Sequence, residues 1–151
     1  MAFEEIYKSV PYYGDNERIR SQIAFVLLKV PEPVRNFAYQ QCLFSSLDEQ
    51  RAGTCTKLTI RPGVVLPPTF WLIELSETIY LACSLRYYRY SCSLFRHHIA
   101  HELAHAYLNH DGIYSEDKAR QAEREDEAEA DRLAKQWGFE PPVSQGHAVI
   151  G

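Results

Sequence analysis

His101 and His105 stand four residues apart, with Glu102 directly after the first of them. On a helix, positions four apart share one face on adjacent turns, so two imidazoles at that spacing can grip one metal ion. Glu102, one step along, can meet a water on the open side of that ion. Zinc lowers the pKa of a water it binds, and a carboxylate so placed takes the proton as the water attacks a carbonyl. The segment His101-Glu102-Leu103-Ala104-His105 therefore predicts a hydrolytic zinc helix, with the two histidines as ligands and Glu102 as the general base.

Catalytic zinc takes three protein ligands and keeps one position for water, so a third ligand must come from elsewhere. Asp111, six residues beyond His105, is one candidate. It corresponds to the metzincin arrangement, which needs glycine where this chain has Leu108, and a methionine beneath the zinc. Met1 is the chain's only methionine.

A better source is the segment Glu127-Ala128-Glu129-Ala130-Asp131. It falls on a helix expected from Ser115, as N-cap, to Trp137, with Gly138 as its C-terminal cap and Pro141-Pro142 beyond. The apolar face of that helix runs through Ala119, Ala122, Ala130, Leu133 and Trp137. At about 100° per residue, Glu127 lies roughly 80° from the centre of that face, a border from which a carboxylate can point inward. Asp131, one turn on, can accept the free N–H of a ligand histidine and fix its tautomer. Glu129 points outward. Glu123 competes with Glu127 as ligand, and Asp126 falls within the apolar face, so spacing alone leaves both open.

From about Trp71 to Phe139, roughly half the chain, the sequence resembles the minimal gluzincins, which include the ImmA/IrrE-type metallopeptidase domains. These combine a strand, a His-Glu-x-x-His helix, and a second helix with Glu-x-x-x-Asp or Glu-x-x-x-Asn followed by Leu-Ala or Phe-Ala. The matching residues are Trp71 to Leu75, His101 to His105, Glu127 with Asp131, and Leu133-Ala134. The resemblance implies a zinc metallopeptidase acting on a peptide or protein substrate. Its zinc would be held by His101, His105 and Glu127, with Glu102 catalytic and Asp131 supporting the site. Residues 1–70 carry no matching motif, and the helix-turn-helix found in some relatives is not recognisable.

The elements that must position these residues follow from periodicity and punctuation. Asn16 to Val30 reads as a helix stopped by Pro31, and a second helix starts near Pro33. Strands are expected at Gln41 to Ser46, Cys55 to Ile60 and Phe70 to Leu75. In the second of these, Thr56, Leu58 and Ile60 alternate with Lys57, Thr59 and Arg61, which puts the first set inward. Ser76 to Leu85 fits helix or strand. The motif helix should run from about Ser93 to Asn109 and end at Asp111-Gly112. Strands followed by helices indicate an α+β domain: a small twisted sheet packed on the motif helix, with a second helix supplying the third ligand. The chain of 151 residues fits one domain, with a helical N-terminal extension over 1–40 and a tail over 140–151.

Four further histidines need placing. His97 and His98 lie one turn before His101 and Glu102 and can line the cleft. His110 sits at a helix end, where an imidazolium suits the dipole. His147 lies in the tail. Trp137 and Phe139 read as core residues.

Composition narrows the class further. Apolar residues make up 46% of the chain, which a folded core requires. The formal charge of −4 disfavours a nucleic-acid partner, although Arg86-Tyr87-Tyr88-Arg89-Tyr90 interleaves arginine and aromatic residues as single-strand binders do. Cys42, Cys55, Cys83 and Cys92 include no Cys-x-x-Cys pair. No basic and apolar leader opens the chain, and no stretch is long enough to span a membrane. A cytoplasmic protein with reduced cysteines is the expectation. Two other readings remain: a module whose zinc is structural, without turnover, and an SprT-like nucleic-acid-associated protease using residues 86–90.

Overall fold

The computed structural model describes residues 2–47, 53–59, 69–77 and 88–141. Three helices come first: α1 (Phe3–Ser9), α2 (Glu17–Lys29) and α3 (Glu32–Gln41). The short strand β1 (Tyr12–Tyr13) lies between α1 and α2. Strands β2 (Cys42–Leu47), β3 (Gly53–Thr59) and β4 (Thr69–Ser76) follow. Then come α4 (Tyr88–Tyr107), a 3-10 turn at Glu116–Lys118, and α5 (Ala119–Gln136). The fold is a mixed α+β arrangement, as the order of elements suggested. Among the described residues no helix is long and apolar enough to cross a membrane.

The sheet order is β1-β2-β4-β3. β2 runs parallel to both β1 and β4, and β3 runs antiparallel to β4 at the edge. The register aligns Cys42 with Trp71 and Phe44 with Ile73 on one face, and continues that face into β3 through Lys57 and Cys55. Cys42, Phe44, Trp71, Ile73 and Leu75 are buried there. Helix α4 packs on β3 and β4, and α2 and α5 pack on α4.

The face of β3 is the reverse of the expected one. Leu58 is exposed and Lys57 half-buried. Lys57 opposes Trp71, lays its side chain over the indole at 5.8 Å, and sends its Nζ to Asn109 Oδ1 at 2.8 Å. A lysine stem can cover apolar surface while its ammonium finds a polar partner, so a polar letter did not mean an outward side chain.

Helices α1 to α3 are no appendage. Ile6, Ile19, Ile23 and Leu27 are fully buried in the same core as Phe95, Ile99 and Leu103 of α4. Asn16 caps α2 by accepting the N–H groups of Arg18 and Ile19, and Arg35 of α3 donates to the Leu27, Leu28 and Val30 carbonyls at the other end.

Helix α4 ends earlier than Asp111-Gly112. Asn109 takes φ 60°, and the bonds Asn109 N–H to Ala106 O and His110 N–H to His105 O close a Schellman turn. Helix α5 ends the same way at Gly138, φ 97°, with Phe139 N–H bonded to Ala134 O. Ser115 makes no side-chain cap, and the first turn after it is 3-10. Most of Ser76 to Leu85, the side chains of residues 86–90, and His147 with most of the tail lie outside the described residues.

Candidate metal centre

Helix α4 carries His101 and His105 on one face, with ring centroids 4.6 Å apart and Nε2 atoms 3.0 Å apart. Helix α5 packs across that face and brings Glu127 to both. Its Oε2 lies 2.8 Å from His101 Nε2, and its Oε1 lies 3.1 Å from His105 Nε2. The three residues offer ligand atoms within 4.8 Å of one another. Glu123 lines the adjoining groove but does not join the cluster, and Asp126 instead accepts the Tyr114 hydroxyl at 2.7 Å.

The bonds behind these residues decide where the protons sit. His101 Nδ1 lies 2.8 Å from Asp131 Oδ1, and an ionised carboxylate can only accept, so the proton of His101 is on Nδ1. Its Nε2 meets the Glu127 carboxylate at the same 2.8 Å, and two acceptors at that distance must share a proton or a cation. Behind His105, Nδ1 lies 3.0 Å from Nδ1 of His110, whose Nε2 lies 2.8 Å from Glu129 Oε1. His110 therefore gives its proton to Glu129 and can accept one from His105. Two imidazole Nε2 atoms and a carboxylate so brought together need a cation or shared protons between them. Two histidines and a glutamate are a catalytic zinc donor set, so the residues fit that ion.

A second group, His97, His101 and Asp131, is equally close. His97 Nδ1 donates to the Phe139 carbonyl at 2.8 Å, and its Nε2 stands 3.6 Å from Asp131. The proton of His101 already fills the bond to Asp131, so this group acts as a brace. Burial pushes the neighbouring His98 down to about 4, with His97 and His101 adding to the fall and Asp131 opposing it.

Glu102 follows His101 by one residue, about 100° around α4, and lines the groove with His105 and Glu127. Burial pushes its carboxyl up to about 7; His101 pulls it down and the Glu127 charge adds to the rise. Gly53 of β3 lies against it, where a Cβ would stand 3.4 Å from Glu102 Cγ and 3.1 Å from the Glu74 carbonyl oxygen. Next to both opens a groove of about 400 Å³, lined by Gly53, Thr54, Glu102, His105, Glu123 and Glu127 among others.

His101, His105, Glu127, Glu102 and Asp131 thus stand together where spacing and resemblance put them. Sequence reasoning missed His110 and Glu129. His110 does not point along the helix dipole, and Glu129 does not point to solvent alone. The available signal was Asn109, which adopts positive φ more readily than most residues and so folds the next side chain back. No protein-family model matches this chain, and no curated protein or solved structure is significantly similar to it.

Proposed function

We propose that this chain is a zinc-dependent metallopeptidase with a minimal gluzincin arrangement of a small sheet and two site helices. The observation that supports the reading is the meeting of His101 Nε2, His105 Nε2 and both Glu127 oxygens, four ligand atoms brought to one point by two helices. His101, His105 and Glu127 would hold the metal. When bound, zinc supplies Lewis acidity toward a peptide carbonyl and lowers the pKa of a water.

The chain's own residues supply the rest. Glu102, with a carboxyl poised near neutrality by burial, takes the proton of the attacking water and hands it to the departing amine. Asp131 holds the His101 imidazole in orientation from behind. Strand β3 is an edge of the sheet and lines the groove through Gly53, Thr54 and Cys55. Among the described residues no strand pairs with its outer edge, whose backbone groups can pair with an extended peptide and lay it along the groove beside Glu102. A groove of about 400 Å³ beside an edge strand suits a polymer substrate better than a small enclosed pocket would.

Glu102→Gln tests the enzymatic reading. The variant should keep its zinc and lose hydrolysis of a denatured protein substrate by at least about a hundredfold, the usual worth of a general base. Zinc retained with no hydrolysis by the wild type of any unfolded substrate would leave a metal module without turnover and contradict the proposal.

A further inference from the structure

Ligation and water activation make no use of His110, yet three elements combine to fix it. The Schellman turn at Asn109 folds it back from the end of α4. Lys57 of β3 donates to Asn109 Oδ1 at 2.8 Å and ties that turn to the sheet edge. From α5, Glu129 Oε1 stands 2.8 Å and Asp126 Oδ1 3.5 Å from His110 Nε2. The His110 side chain is only 10% exposed, and its Nδ1 faces Nδ1 of His105 at 3.0 Å.

We propose that His110, backed by Glu129, is a positioning residue for the metal ligand His105: it accepts the Nδ1 proton of His105 and so holds the Nε2 lone pair on the metal side. The inference rests on the zinc reading above. With Nε2 on a metal, the single proton of neutral His105 is on Nδ1 and needs an acceptor. Glu129 can only accept, so His110 carries its own proton on Nε2 and offers a lone pair at Nδ1. The chain from His105 to His110 to Glu129 then has one polarity, and every group in it is satisfied. The carboxylate at its far end makes His110 a better acceptor and His105 a more basic ligand. His101 obtains the same service directly from Asp131. Each ligand imidazole is thus backed by a carboxylate, one in contact and one through a second imidazole.

The arrangement also explains a distance. Glu129 lies one half-turn past Glu127 on α5, too far around the helix to brace His105 itself. His110 spans that gap. The device depends on the backbone turn as well as on the two side chains, because only the fold-back at Asn109 points the His110 ring at α4.

The test is zinc affinity of the full chain at neutral pH, read by competition with a chelator, for wild type, His110→Leu, His110→Asn and Glu129→Leu. His110→Leu should bind zinc about 10- to 100-fold more weakly, the usual effect of removing such a partner. His110→Asn should recover most of that loss, because its amide oxygen can accept the same proton. Glu129→Leu should lose several-fold; the glutamate is half-exposed, so its removal leaves folding intact even where His110→Leu does not. In zinc-loaded wild type the His105 Nδ1 proton should give a downfield, slowly exchanging NMR resonance, lost in His110→Leu and kept in His110→Asn. Affinities within about twofold of wild type in both leucine variants would overturn the proposal, as would a folded His110→Asn no better than His110→Leu. Wild type that binds no zinc would overturn the metal reading and this inference together; wild type that binds zinc with indifferent variants would overturn this inference alone.

Discussion

A Cβ on Gly53 would rest in van der Waals contact with Glu102, 3.4 Å from its Cγ and 3.8 Å from Oε1, so any larger side chain there presses on that carboxylate. The Glu74 carbonyl oxygen, at 3.1 Å from the same Cβ position, is the tighter contact and belongs to rigid backbone. Gly53→Val should therefore push Glu102 from its place while leaving His101, His105 and Glu127 undisturbed. Peptide hydrolysis should fall by about tenfold or more, since small misplacements of a reacting group are costly, and zinc content should not change. Parallel assays of metal content and kcat check this; loss of both together would mean that Gly53 serves folding instead.

Asp131 is predicted to act through His101. Asp131→Ala removes the acceptor of the His101 Nδ1 proton and leaves His97 Nε2 without its carboxylate. Zinc affinity should drop about 10- to 100-fold, with Asp131→Asn intermediate because an amide oxygen still accepts. Equilibrium dialysis against a chelator reads the result, and unchanged affinity would remove Asp131 from the site.

The neutral His98 gives a stability prediction with a definite sign. Its folded pKa of about 4 lies below the ordinary 6.5, so the unfolded chain binds the extra proton first as pH falls. The stability of a neutral, buried His98 is fully present above about pH 6.5 and is lost progressively down to about 4. Urea unfolding of the zinc-free protein at pH 7.5 and at pH 5 should show the loss. In His98→Gln the loss should be smaller by about 2 kcal/mol. An identical loss in both proteins would mean that His98 titrates normally.

Two cysteines should be inert in the folded chain. Burial pushes the Cys42 thiol up to about 12 and raises Cys55 as well, with Glu102 and Cys42 adding to the latter. The thiolate is the nucleophile, and at pH 8 only roughly one Cys42 in ten thousand is ionised. Alkylation followed by peptide mapping should label Cys42 and Cys55 slowly in native protein and quickly in urea. Fast native labelling of Cys55 would show that the groove is more open around β3 than its burial indicates.

The site was more legible in the sequence than the sheet. His101, Glu102 and His105 are local: helical periodicity alone aligns them. Glu127 and Asp131 needed a second helix with an apolar face, and the resemblance to prefer Glu127 over Glu123 and Asp126. The sheet order needed more, because strand pairing is non-local: β2 and β4 lie side by side, while β3, between them in sequence, is displaced to the edge. Nothing in the pattern of β3 states that, and Lys57 inverted its apparent face by snorkelling over Trp71. His110 and Glu129 were hidden for a different reason. Their meeting depends on one residue, Asn109, taking positive φ, and the choice between Asn109 and Gly112 as the helix stop is a small backbone energy difference.

The most direct test of the central claim is the metal content of purified wild type, Glu127→Ala and Glu123→Ala. Glu127 touches both histidine Nε2 atoms, whereas Glu123 only lines the groove. Wild type and Glu123→Ala should hold stoichiometric zinc through a chelator wash, and Glu127→Ala should lose it. Zinc absent from wild type, or kept by Glu127→Ala and lost by Glu123→Ala, would contradict the account.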